Sequence, residues 1–110
     1  MKYALPLIFL ALPAMADDPT VEQVSYQGGR FSVTLSHGDT GWDDYANGWR
    51  VELADGTVLG TRVLAHPHVD EQPFTRSSSI TVPNGVTEVF VRASSTTGGW
   101  SGNAVRYRLR

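Results

Sequence analysis

Arg30-Phe31-Ser32-Val33-Thr34-Leu35-Ser36-His37 places an apolar residue at every second position and a polar one between. Only an extended chain turns that spacing into faces, with Phe31, Val33 and Leu35 on one side and Ser32, Thr34 and Ser36 on the other. A helix would scatter the three apolar side chains around its circumference. The same period returns in Trp49-Arg50-Val51-Glu52-Leu53, where Trp49, Val51 and Leu53 are expected inward and Arg50 and Glu52 toward water. It returns again in Val105, Tyr107 and Leu109, set between Arg106, Arg108 and Arg110. Strands with one dry and one wet face belong to antiparallel sheets packed on a second layer.

Outward from these stretches, seven strands are expected, at 21–27, 30–37, 48–54, 57–64, 77–82, 87–95 and 104–110. Gln27-Gly28-Gly29, Ala54-Asp55-Gly56 and Pro83-Asn84-Gly85 are short turn signals, because Gly and Asn tolerate the positive φ that tight turns demand. No stretch shows a capped helical period, and no segment repeats. The reading is one all-β domain, a seven-stranded antiparallel β-sandwich over residues 17–110.

Residues 1–16 read instead as a secretory signal peptide. Lys2 is its positive start, Tyr3 to Leu12 its apolar stretch, and Ala14-Met15-Ala16 its small-residue cleavage site, with the cut expected between Ala16 and Asp17. The apolar run is too short to span a bilayer. The expected product is soluble and periplasmic or secreted, with no membrane anchor after cleavage. The chain has no cysteine, which excludes both disulfides and an anchor on an acylated thiol. Nine Lys and Arg against eleven Asp and Glu give a formal net charge of −2 with no basic stripe, which argues against a nucleic-acid partner.

Thr87-Glu88-Val89-Phe90-Val91-Arg92-Ala93 followed by Gly98-Gly99-Trp100-Ser101 resembles the sixth strand and following loop of fibronectin type III modules. Trp49-Arg50-Val51-Glu52-Leu53 resembles their third strand. In strand order, most of residues 21–110 is similar to a fibronectin type III or immunoglobulin-like sandwich. The chain departs from that pattern in two places. The aromatic expected early in the sixth strand is displaced to Phe90, and the second strand has no Trp. The resemblance implies a fold and carries no catalytic or binding residues.

In such a topology the chain alternates between two ends, so the second, fourth and sixth connections share a pole. These connections are 38–47, 65–76 and 96–103. With the adjoining His37 they gather every histidine of the chain (His37, His66, His68), several carboxylates, and the aromatics Trp42, Tyr45, Phe74 and Trp100. Loops on a rigid scaffold are where binding residues concentrate. The sharp reading is a divalent metal site. Cu(II) and Zn(II) favour imidazole nitrogen, with a carboxylate completing the shell. In extended His66-Pro67-His68 both rings project to one side. His37 continues the inward parity of Leu35, and Asp39, Asp70 or Glu71 could supply oxygen. The site set is thus His37, His66, His68, Asp39 and Glu71. Cu(I) capture is excluded, since both methionines precede the expected cut and there is no thiol. The plain alternative is that His37 caps the core and the other two decorate a loop.

Trp42 and Trp100 lie among Gly, Asp, Thr and Ser, where pattern does not require burial. With Tyr45 they could form a stacking platform for a peptide or sugar. Alternatively both fold back to plug the open end of the sandwich, since Trp has much apolar area to hide. Asp43-Asp44 lacks a calcium-loop context, and Arg76 is expected to pair with Asp70 or Glu71. A triad assembled from Ser77–Ser79, His66 and Asp70 has no nucleophile elbow around it, so no enzyme is expected. Two functions remain. One is a periplasmic Cu(II)- or Zn(II)-binding protein. The other is an adhesion-like module reading protein or glycan through Trp42, Tyr45 and Trp100. The expected partner is accordingly a metal ion or an envelope protein.

Overall fold

A computed structural model describes residues 18–109 of the chain, so the expected signal segment 1–16, its cut before Asp17, and Arg110 lie outside the described residues. The alternating stretches become strands whose apolar faces meet. In chain order they are β1 (Thr20–Gln27), β2 (Arg30–Ser36), β3 (Ala46–Glu52), β4 (Val58–Val63), β5 (Phe74–Ser79), β6 (Glu88–Ser95), β7 (Gly99–Trp100) and β8 (Val105–Arg108). They form two antiparallel sheets, one ordered β1-β2-β5 and the other β4-β3-β6, with β7 and β8 both on the free side of β6. The described residues contain no helix. The architecture is the expected all-β sandwich.

There are eight strands rather than seven because the last one is interrupted. Gly99 and Trp100 pair with Ser95 and Ser94, the chain leaves the ladder, and Val105 to Arg108 then pair with Val91 to Glu88. The fifth strand also starts earlier than the expected 77–82. Phe74 pairs with Leu35 and is buried, so it and Arg76 belong to β5 rather than to the preceding loop.

Phe31, Val33 and Leu35 of β2 face Trp49 and Val51 of β3 and Val89, Val91 and Ala93 of β6 across the sandwich, with Leu64, Phe74 and Ile80 closing the ends. With no cysteine in the chain, this core supplies the cohesion. Each fully buried Val, Leu or Phe contributes about 1.5–3 kcal/mol of transfer free energy. At one side Arg62 of β4 reaches the other sheet, where its Nη1 donates to Ser77 O at 3.2 Å.

Arg50 and Glu52 were expected in water, and for Glu52 this is corrected. It is 3% exposed, held on the outer face of the larger sheet by Arg92 Nε at 2.8 Å and Arg50 Nε at 2.7 Å. The hydrogen bond from Arg92, and then that from Arg50, keep its carboxyl below the usual glutamate range despite its burial. An alternating pattern tells which face a side chain takes, but not what a distant strand lays over that face.

Candidate functional site

The loops after β2, β4 and β6 meet at one pole, and a single carboxylate joins two of them. Asp39 is buried. Its Oδ1 accepts from Ala46 N at 3.0 Å and from His37 Nδ1 at 2.7 Å, and its Oδ2 accepts from His68 N at 2.8 Å. A buried carboxylate is tolerable only when so occupied. The loop after β6 is tied in by hydroxyls. Thr96 Oγ1 accepts from Tyr45 N at 3.1 Å, and Thr97 Oγ1 donates to Asp44 Oδ1 at 3.1 Å. The β4–β5 loop is further held by Gln72, whose Nε2 donates to His68 O and whose Oε1 accepts from His37 N.

The histidines therefore reach the same pole, but in three different settings. His37 is packed at the core rim as expected, with Nδ1 on Asp39 and Nε2 3.8 Å from Asp44 Oδ1. His68 is 6% exposed and stacked on Phe74, with ring centroids 3.9 Å apart and planes 11° apart. Arg76 Nη2 lies 2.8 Å from His68 Nε2. Guanidinium can only donate, so Nε2 is the acceptor and the proton sits on Nδ1, which is buried with no partner. Burial, then the Arg76 charge, then His66, push the His68 pKa below its usual value. His66 is exposed, its ring 4.8 Å from that of His68.

Among the described residues no three of His, Asp and Glu are placed to hold one metal ion. The expected set of His37, His66, His68, Asp39 and Glu71 does not converge, for identifiable reasons. Asp39 is occupied by the backbone, the lone pair of His68 is taken by Arg76, and Glu71 pairs with Arg76 at 3.3 Å. The Arg76–Glu71 pair is the loop staple that the sequence suggested. Asp70 is exposed.

The aromatics separate as well. A bridge between Gly41 and Asp44 puts Trp42 and Asp43 at a loop tip. Trp42 is 68% exposed, which corrects the plug reading for this residue. Tyr45 braces it edge-on, centroids 5.7 Å apart. Trp42, His66, Pro67 and Val69, itself 53% exposed, line an open depression of about 600 Å³ with Asp70 and Glu71 at its edge. Trp100 is elsewhere. It lies on the outer face of the larger sheet beside Arg50, with the guanidinium carbon 4.1 Å from the ring centroid. Sequence reasoning missed Val69 as a surface residue and Asp39 as the hub. The only local signal for the hub was a short carboxylate just past a strand end, a position where Asp commonly bonds nearby backbone.

No protein-family model matches the chain. A protein of Halomicrobium mukohataei named "Putative lipoprotein" is 46% identical to it over 88 residues, which make up 80% of this chain and 43% of that protein. The chain thus spans less than half the length of the relative it matches.

Proposed function

We propose that this domain is a non-enzymatic recognition module of an exported protein, and that its loop pole takes a partner-protein segment carrying an apolar anchor beside basic residues. The observation that carries this reading is Trp42, a large apolar side chain held out to solvent on a loop fixed from beneath. Exposed apolar surface rimmed by polar groups is characteristic of interaction sites, and Trp is enriched at their centres. Val69 and Pro67 extend the apolar surface, and Asp70 and Glu71 give it an acidic rim suited to Lys or Arg.

Export is supported by the signal-like residues 1–16 and by the name of the relative. That name implies lipid attachment for the relative, whereas these 110 residues contain no cysteine to acylate. The likeness to fibronectin type III or immunoglobulin-like modules is supported by the division of strands. First, second and fifth oppose third, sixth and last, as in such sandwiches. A non-enzymatic role is supported by Ser77, whose Oγ bonds Ser32 Oγ at 2.6 Å on an outer sheet face rather than joining the pole. Cu(II) or Zn(II) would have to displace Arg76 from His68, so the metal reading is the weaker one.

Selection of displayed peptides on the immobilised protein tests the proposal. The winners should combine an aromatic or aliphatic residue with Lys or Arg. They should bind Trp42→Ala at least tenfold more weakly, while that variant keeps the wild-type Tm. Peptides that bind both proteins equally would remove the pole from consideration. Parallel titration with Cu(II) and Zn(II), against a His66→Ala/His68→Ala variant, decides the metal reading. Submicromolar binding lost in the variant would restore it.

A further inference from the structure

Trp100 belongs to a second surface that the pole does not explain. Its pairing with Ser94 sends the indole over the outer face of the larger sheet toward β3. It lies there close to Gly48. A Cβ at Gly48 would sit 3.7 Å from Trp100 Cη2, and only 3.3 Å from both Ser94 Oγ and Arg62 O. Gly48 is buried, and its lack of a side chain is what lets the ring and Ser94 approach the backbone of β3 this closely. Arg50, itself held by Glu52, braces the indole by its guanidinium. Trp100 remains 40% exposed.

Beside the indole runs a cleft of about 290 Å³ bordered by Asn47, Gly48, Thr61, Val63, Ser94 and Trp100, and no charged residue lines it. Its polar groups are oriented. Ser94 Oγ donates to Asn47 Oδ1 at 2.6 Å, which fixes the amide and leaves its Nδ2 as a donor. The Thr61 hydroxyl is on an exposed residue of edge strand β4.

We propose that this cleft binds a neutral sugar ring, such as the terminal unit of a glycan. A pyranose presents C–H groups on one face and hydroxyls around its edge. The indole takes the first, while Asn47 and Thr61 hydrogen-bond the second. A purely apolar ligand would leave those two polar groups without partners, which is costly on burial. An anionic ligand would find no cation among the lining residues, and Arg50, the cation beside the indole, is already paired with Glu52. The volume is at the lower bound for small-molecule sites, about 300 Å³, and suits a single ring. The site is independent of the Trp42 pole.

An array carrying neutral and acidic oligosaccharides, probed with the full chain and followed by calorimetric titration of the hits, tests this. Neutral glycans should bind, and Trp100→Ala should weaken them at least tenfold. Because Trp100 also packs against Arg50, Thr61→Arg serves as a second variant. It fills the cleft from an exposed position and should abolish binding with the Tm unchanged. Trp42→Ala should bind sugar as wild type does, so failure of the pole leaves this site standing, and the reverse. The proposal is overturned if no neutral glycan binds at millimolar concentration, if only acidic glycans bind, or if neither cleft variant changes the affinity.

Discussion

Two aspartates at opposite ends of the sandwich show how differently its loops are held. Asp55 is exposed in the β3–β4 turn, and its Oδ1 accepts from Thr57 N, only two residues on. Leu53 and Thr57, and Gly56 and Leu53, close the same turn by backbone bonds. Asp39 is buried at the other pole and serves Ala46 and His68, seven and twenty-nine residues away. A turn satisfied by its neighbours is an autonomous piece, and its replacement stays local. A loop satisfied by a distant buried carboxylate is part of the cooperative fold. The recognition surface is built on the second kind, so Trp42 and Val69 can be exposed without the loops beneath them being loose.

The largest test of this contrast is Asp39→Ala. It leaves two backbone donors, Ala46 N and His68 N, facing a void in a buried setting. Each buried donor left unsatisfied costs about 1–3 kcal/mol, so a loss of about 4 kcal/mol is expected in urea unfolding. Asp39→Asn keeps an acceptor and should recover part of the loss. Asp55→Ala should leave the midpoint almost unmoved. Equal effects of Asp39→Ala and Asp55→Ala would erase the distinction between the poles.

This contrast also marks what the sequence could tell. Phe31, Val33 and Leu35, or Trp49 and Val51, announce their strands because a period of two is a local property of the chain. Asp55-Gly56 announces its turn for the same reason. The alternation of strands even brings His37, His66 and His68 to one pole without any knowledge of their contacts. What was hidden depends on partners far along the chain. Glu52 looked solvated because Arg92, which covers it, lies forty residues on. Phe74 looked like a loop residue because Pro73 precedes it, and its pairing with Leu35 is invisible locally. His68 looked like a free ligand because nothing in His66-Pro67-His68 reveals that Arg76 faces its Nε2 and Phe74 its ring. Trp42 and Trp100 share a composition of neighbours yet occupy different surfaces, since β7 turns one of them onto the sheet.

A smaller effect separates the poles by pH. His68 is held neutral, its pKa lowered chiefly by burial and then by Arg76 and His66, with Glu71 and Asp39 opposing. Because the folded pKa is below the unfolded value near 6.5, the unfolded chain binds the proton first. Stability is then full above that value and declines as pH falls from it toward the folded pKa. The urea midpoint should fall between about pH 7.5 and pH 5.5, and the fall should shrink in His68→Phe, which keeps a ring on Phe74 but cannot titrate. An identical decline in both proteins would show that His68 is not its source. No turn at the Asp55 pole contains a histidine, so amide shifts there should stay constant over the same range.

The smallest effect comes from the autonomous end. Gly56 has φ +92°, a region that side chains avoid, while nothing lies within 4 Å of where its Cβ would be. Gly56→Ala therefore pays only for backbone strain, about 1 kcal/mol, and makes no clash. If turns at this pole are independent, shift changes should stop within residues 53–57, and hydrogen exchange at Ala46 N and His68 N should quicken only by the global loss of stability. Faster opening of those two amides beyond that amount would mean that strain at one end reaches the Asp39 hub through β3, the strand that joins them. The pole bearing Trp42 would then be a surface whose rigidity is set by the whole sandwich rather than by its own carboxylate.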